Sequence, residues 1–491
     1  MSTGSSAPKG VFGFACLATL LLPWTSVAAD LPLKAQPAEH VKVCAAYGPG
    51  FYYIPGTDTC LRVGGWARMD TYLNVAAIFS QGSAFSGPGY SPFAFPFRDK
   101  HDADYFTQGR GVAEIDARTQ TDYGTLRSYF RGGMEWDSQT GPAAGPGAAL
   151  YVERAFIQFG GLTFGYTQSF FDTGIGYSIA TLFAGSNTWN TTAAYTAEFG
   201  NGLSASLALE DAANRTTGVQ ATGVRITGVS SPSDFPFVTG GTGAPLLYAN
   251  YQGGQQAPDV VANLRAEGAW GLVQLAGALH EVMAVTPSYL GAAIPGIVDT
   301  GQWGYALGAY AEIRLPFIAA GDSLYLQANY SDGALNYAGL AAGNQNRLQA
   351  IGYIQLNGAG LMNGAYYPLA DAVMGSSGSY EMVGAWAVQA QFRHFWTPGL
   401  RSAVFGGYVS VDVPDNIVGA ESFAMWQAGV NTFWSPVRNL DIGVEAVYTA
   451  VDGRQPLGIV NAVAANGSAI PTLVGGSADA LSGAVRLQRN F

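Results

Sequence analysis

The chain has 491 residues, enough for two or three ordinary soluble domains, yet only 12% of them are charged, about half the usual share. With 26 Tyr, 26 Phe and 10 Trp it is too aromatic to be a chain that cannot bury surface, despite 66 Gly and 24 Pro. The 23 Lys+Arg against 34 Asp+Glu, a net charge of −11, exclude the basic footprint that nucleic acid requires.

Met1–Ala29 reads as a secretory signal: Lys9 lies in a positive segment, an apolar run covers 11–23, and Val27-Ala28-Ala29 precedes Asp30 as a small-residue cleavage site. The run is shorter than the ~20 residues a spanning helix needs. Cys16 leaves with the signal, so the exported chain keeps Cys44 and Cys60. In an oxidising compartment these form one disulfide around 15 intervening residues, with two free thiols as the alternative. Such a loop contributes about 3 kcal/mol in the chain-entropy description. The chain thus divides into 1–29, a disulfide-closed segment 30–60, and a domain 61–491.

That domain alternates with period two. In 61–75 the odd positions include Leu61, Val63, Ala67, Met69 and Leu73, and the even ones Arg62, Arg68, Asp70 and Asn74, so a strand here has one apolar and one charged face. The next block puts Arg110, Glu114, Asp116, Arg118 and Gln120 opposite Ala113, Ile115 and Ala117. After the turn Thr121-Asp122-Tyr123-Gly124, Arg127, Tyr129, Arg131 and Glu135 oppose Leu126, Phe130, Met134 and Trp136. Similar segments follow at 150–160, 162–170, 191–199, 203–210, 258–270, 272–282, 301–315, 322–331, 380–396, 399–412, 422–435, 439–451 and 479–491.

Connections alternate between short (Gly160-Gly161, Gly200–Gly202, Thr397-Pro398) and long (171–190, 211–257, 332–379). Tight turns at one rim, long loops at the other and an even strand count describe an all-β, antiparallel transmembrane β-barrel with short periplasmic turns and long extracellular loops. Sixteen strands are expected, or eighteen if a hairpin near Arg347–Leu356 joins the wall. The other faces, such as Leu203, Leu207 and Leu209, Val273, Leu275 and Leu279, or Trp426 and Val430, carry no charge and suit lipid. Trp136, Phe159, Phe199, Trp270, Trp396 and Trp434 near strand ends suit interfacial girdles. The last strand ends on Phe491, an aromatic terminus like those read by outer-membrane assembly machinery, although Arg489 interrupts its apolar face.

Three stretches carry a family resemblance. Val41-Lys42-Val43-Cys44, continued by Gly50-Phe51-Tyr52-Tyr53-Ile54-Pro55-Gly56-Thr57-Asp58-Thr59-Cys60-Leu61-Arg62-Val63-Gly64-Gly65, resembles the opening of alphaproteobacterial (rhizobial-type) outer-membrane porins. Arg154-Ala155-Phe156-Ile157-Gln158-Phe159-Gly160 and the ending Leu487-Gln488-Arg489-Asn490-Phe491 are similar too. The resemblance implies a homotrimer in the Gram-negative outer membrane, each barrel a water-filled channel for passive diffusion of small hydrophilic solutes and ions. It also implies that one loop, about Phe171–Asn190, folds into the lumen. This sequence departs from the pattern at Gly165-Tyr166, where a basic residue usually follows the glycine. The loop holds one charge, Asp172, among Ile175, Tyr177, Ile179, Leu182 and Phe183, which argues against strong ion selectivity.

The expected pore lining is therefore Arg62, Arg68, Asp70, Arg110, Glu114, Asp116, Arg118, Arg127, Arg131, Glu135 and Arg154, facing a constriction loop marked by Phe171, Asp172, Tyr177 and Phe183. Guanidinium stays charged and is weakly hydrated, which suits a permanent field in a narrow passage. Glu153 and Arg154, being adjacent, are expected on opposite faces. The acid excess of the chain leans selectivity weakly toward cations, while the arginines favour anions locally.

No catalytic constellation, metal-ligand spacing or phosphate loop is recognised, so neither enzyme activity nor a cofactor is expected. His40, His101, His280 and His394 read as surface or interface residues, and Asp99–Asp104 as a solvated loop. A substrate-selective uptake barrel, with Tyr129, Tyr310 and Phe405 as an aromatic track, and a surface adhesin or receptor barrel are the alternatives. A trimer would need small outward residues, for which Gly65-Ala67 and Gly111-Ala113 are candidates.

Overall fold

The computed structural model describes residues 42–73, 105–138, 147–179, 181–221, 249–250, 252–253, 255–284, 300–340, 352–357, 364–374, 380–414, 421–454, 458–463 and 469–491. All of these but Lys42 belong to one compact unit, Val43–Phe491. The leader, His40, His101 and the acidic loop around Asp102 lie outside the described residues.

Sixteen long strands build the wall: β1 (Cys60–Leu73), β2 (Tyr105–Thr121), β3 (Gly124–Asp137), β4 (Gly147–Phe159), β5 (Leu162–Gln168), β6 (Trp189–Gly200), β7 (Leu203–Glu210), β8 (Asp259–Gly268), β9 (Gly271–Ala284), β10 (Thr300–Arg314), β11 (Ser323–Asp332), β12 (Gly384–Thr397), β13 (Leu400–Asp412), β14 (Phe423–Trp434), β15 (Leu440–Gly453) and β16 (Ala478–Asn490). Each pairs antiparallel with the next, and β1 pairs with β16 from Trp66↔Asn490 to Leu73↔Gly483, so the sheet closes. Closure leaves no edge for lipid to hydrogen-bond. The terminal residue completes the seam, because the Phe491 N–H donates to the Gly65 carbonyl (3.0 Å) and the Gly65 N–H to the Phe491 carbonyl (3.2 Å). The tight turns need glycine: at Gly202 φ is +78°, and a Cβ there would lie 1.8 Å from the Glu267 carbonyl oxygen.

Exposure is inverted relative to a soluble protein. Leu275 is 56% and Val430 47% exposed, whereas their strand neighbours Gln274 and Asn431 are 1% and 3% exposed. Polar residues point inward and apolar ones outward, as lipid contact demands. Trp386 and Trp396 stand ten residues apart on β12, about 33 Å along the strand and roughly 25 Å along a barrel axis at the usual tilt. Both are exposed, as are Trp136, Trp270 and Trp434, so aromatic residues flank an apolar band of membrane height. Arg489 pairs with Leu440, the first residue of β15, which puts its charge at a rim instead of mid-wall.

The barrel has sixteen strands and not eighteen. Residues 352–357 are extended, but they pair with Gly364–Leu369 in a separate sheet that also contains Ala469–Gly476 and Gly458–Val463. No slot is open in the wall, because β11 and β12 already pair with each other from Ser323↔Arg393 to Asp332↔Gly384. Tyr380–Met382, read from sequence as the start of β12, instead pairs with Ala372–Met374.

Candidate functional site

The charged faces of β1 to β4 form one inner wall. Register sets Arg62 opposite Asp116, Arg68 opposite Arg110, Glu114 opposite Arg131, Arg110 opposite Glu135 and Arg118 opposite Arg127. Cross-strand partners share a face, so these side chains stand in one lattice. Asp116 is its hub: Arg118 donates to it through Nε (3.0 Å) and Nη2 (2.8 Å), and Arg127 through Nε (3.0 Å) and Nη2 (2.9 Å). Arg62 meets Glu114 at 2.7 Å, and Arg110 meets Glu135 at 2.8 Å. Asp70 lies between Arg68 (3.0 Å) and Arg486 of β16 (2.7 Å). All eleven residues expected on the pore lining therefore meet on this surface. Arg486 was missed, because only closure of β16 onto β1 brings it here.

Glu153 and Arg154 correct the strict alternation. Arg131 faces Arg154 while Gly132 faces Val152, so a β-bulge at Glu153 leaves both residues on the inner wall. Glu153 pairs with Arg131 at 2.6 Å. Arg154 donates to the Glu153 carbonyl (2.8 Å) and Gln168 Oε1 (2.9 Å), and its guanidinium lies 4.5 Å from the Trp189 ring centre. Among the described residues no carboxylate reaches it. Arg154 stands on β4 beside β5, whose Gly165-Tyr166 carries no basic group.

The connection 169–188 between β5 and β6 crosses the interior and lies along the wall from β7 round to β16. Its backbone is held by wall side chains: the Phe170 N–H donates to Glu210 (2.7 Å), Tyr177 N–H to Gln391 (2.6 Å), Ile179 N–H to Glu445, and Phe183 N–H to Gln427 (3.1 Å). In return, Gln274 donates to the Phe171 carbonyl (3.1 Å), Gln327 to that of Ser186 (3.0 Å) and Asn431 to that of Tyr177 (2.8 Å). Phe171 is packed edge-on against Tyr310 and Tyr337, and the Tyr177 hydroxyl donates to Glu312 (2.9 Å). This loop covers its wall. Opposite it, the arginines remain wet: Arg62 is 39% and Arg131 35% exposed although both point inward. Loop 169–188 and the half-exposed arginines of β1 to β4 thus occupy different parts of the inner wall.

Asp172, the single charge of the loop, does not join the arginines of β1 to β4. It is buried and paired with the fully buried Arg215 (2.9 Å), which also donates to Ser186 Oγ (2.6 Å) and lies 4.0 Å from the Tyr337 ring centre. A second buried cluster adjoins it. His280 contacts Asp259 (2.7 Å), which accepts from the Tyr337 hydroxyl (2.6 Å). Asp371 accepts from the Thr217 N–H (2.6 Å) and the Leu335 N–H (2.7 Å). Burial and the Asp259 carboxylate push the Tyr337 phenol well above its ordinary pKa, so it stays a donor. His280 is therefore an interior residue tying long-loop segments to the wall, not the surface or interface residue expected from sequence. His394 is partly exposed and pairs with Asp322 at 2.6 Å.

Near the long-loop rim the inner faces of β12 to β16 turn apolar. Ala385, Val409, Val411, Phe423, Met425 and Val451 pack against Phe183, Leu335, Tyr367 and Leu369. Phe405 and Tyr310 are likewise buried and Tyr129 is not, so the three do not form one exposed track. Three residues inside the short-turn rim Cys44 and Cys60 are joined, their Cα atoms 5.9 Å apart.

A model of the porin subfamily matches residues 30–476. Porin Omp2b of Brucella suis is 29% identical over 256 residues, covering 50% of this chain and 59% of the relative. Porin Omp2b of Brucella abortus (strain 2308) is 29% identical over 260 residues, with the same coverage. The matched stretch is thus little more than half the length of these relatives. Among solved structures, the outer membrane channel DcaP of Acinetobacter baumannii shares the fold with a TM-score of 0.54 at 15% identity, over 89% of this chain and 99% of that one.

Proposed function

The chain belongs to the porin subfamily of outer-membrane β-barrels, and from that membership we propose that it forms a water-filled channel for passive diffusion of small hydrophilic solutes and ions. One observation carries the reading: inward-pointing arginines of β1 to β4 remain solvent-exposed while the opposite wall is covered by loop 169–188. Eleven residues, Arg62, Arg68, Asp70, Arg110, Glu114, Asp116, Arg118, Arg127, Arg131, Glu135 and Arg154, line this passage in our reading. Arginines outnumber carboxylates on that face once Arg486 and Glu153 are included, so the passage favours small anions, against the cation lean of the whole-chain charge.

The Arg–aromatic stacks of Arg127 on Tyr129 (4.8 Å) and Arg154 on Trp189 favour a second reading, an uptake barrel selective for anions with a flat face. We assign the assembly as a homotrimer, supported by small outward residues that become contiguous across β1 and β2, Gly65 beside Ala113 and Ala67 beside Gly111. Phe491 would serve as the signal for the outer-membrane assembly machinery, after export directed by residues 1–29.

The test is single-channel current of the detergent-extracted protein in a planar bilayer under a salt gradient. Stepwise openings that scale with bulk conductivity, with an anion-side reversal potential, are expected. Heat-modifiable, folded protein that gives no steps would refute the diffusion channel.

A further inference from the structure

We propose that the disulfide-closed segment 44–60 is a second narrowing of the passage, in series with loop 169–188, and that the buried Phe51 holds this segment against one face of Arg62 and Arg118. This rests on the channel reading above. Cys60 opens β1 with its side chain on the face of Arg62, Arg68 and Asp70, and its cross-strand partner is Arg118. That face is the interior, since Arg486, bonded to Asp70, also reaches the Ile179 carbonyl of the inward loop (3.4 Å). The Cys44–Cys60 bridge therefore draws the segment into the lumen instead of laying it on the lipid face.

Inside, Cys44, Phe51 and Cys60 form a small buried cluster. The Phe51 ring centre lies 5.3 Å from the Arg62 guanidinium carbon and 5.0 Å from that of Arg118, and Tyr47 lies 5.6 Å from Arg118. Thr59 Oγ1 and Thr119 Oγ1 are 2.9 Å apart, and Tyr52 and Tyr53 pair with Leu61 and Cys60, which fixes the segment to β1 and β2. Aromatic faces thus cover two guanidinium planes whose N–H edges are already held by Glu114 and Asp116.

The two narrowings lie at different depths. Arg118 is three residues from Thr121, so the segment acts about 10 Å along the strand, or roughly 7 Å along the axis, from the short-turn rim. Asp70, at the level of Ile179, is eight residues beyond Arg62, about 26 Å along the strand and roughly 20 Å along the axis. A solute passes the constriction loop and the disulfide-closed segment in turn.

Full-length wild type, Phe51→Ala and the double variant Cys44→Ser, Cys60→Ser are compared in planar bilayers. Phe51→Ala keeps the disulfide, so it tests the idea even where the double variant does not fold. Unit conductance is expected to rise by up to about twofold, the limit for removing one of two equal resistances in series, and the reversal potential to move toward anions as the loosened segment leaves Arg62 and Arg118 more exposed. Equal or lower conductance in folded variants, or an unmoved reversal potential, would overturn the inference while leaving the channel intact. Absence of steps in wild type would instead defeat the channel reading itself.

Discussion

Replacing Arg215 with methionine should destabilise the protein through Asp172, at the root of the constriction loop. Arg215 and Asp172 are both fully buried and 2.9 Å apart, and Asp172 otherwise accepts only the Thr188 N–H among its described hydrogen bonds (2.7 Å). Methionine keeps most of the stem's volume but leaves a buried carboxylate without its cation, a loss of about 3–5 kcal/mol when one partner of such a pair is removed. Stacking of the guanidinium on Tyr337, worth up to about 2 kcal/mol when desolvated, is part of that loss. Changing Asp172 to asparagine in the same chain removes the orphaned charge, so the double variant should recover about 2 kcal/mol or more relative to Arg215→Met alone. Urea unfolding of the refolded barrel in micelles, followed by tryptophan fluorescence, measures the cycle. Open-channel current noise should rise in Arg215→Met, because Asp172 and Ser186, both bonded to Arg215, hold the two ends of the loop. If Arg215→Met lies within about 1 kcal/mol of wild type, or the double variant shows simple additivity, the pair does not anchor the loop.

Three further outcomes are expected. Arg154→Gln removes a wall charge that no described carboxylate neutralises, so the reversal potential should shift toward cations with little loss of stability; an unmoved potential would place Arg154 outside the ion path. Asp116→Asn leaves Arg118 and Arg127 facing each other across the register, which should shift selectivity toward anions and cost about 2–3 kcal/mol, below the dry-pair figure because both arginines are wet. Val430→Arg, on the outer face of β14, should cost ~2–4 kcal/mol in a bilayer, whereas Arg489→Leu at the rim should change stability by less than about 1 kcal/mol. Equal effects at Val430 and Arg489, by unfolding in lipid vesicles, would contradict the depth assigned to them.

The sixteen strands were legible because alternation is local: Arg62, Arg68 and Asp70 announce their face within one segment, and a tight turn such as Thr121–Gly124 sets the register of the next. Period two also told which wall would be charged, and composition with the terminal motifs indicated the family. It could not reveal the bulge at Glu153, since one inserted residue leaves the pattern on either side unchanged. Nor could it place Arg486 on Asp70, 416 residues away in sequence, or Ile179 on Glu445, 266 residues away. Those contacts exist only once the sheet has closed and the loop has crossed it. His280 shows the same limit, because its burial depends on Asp259, Tyr337 and Asp371 arriving from three other segments. The amino-acid pattern by itself determined a closed wall with a lipid face and a charged lining, because each strand must send alternate side chains to opposite environments. Which arginines remain wet and which acids are spent on holding loops were decided by tertiary structure alone, because packing in the interior joins groups that no local period relates.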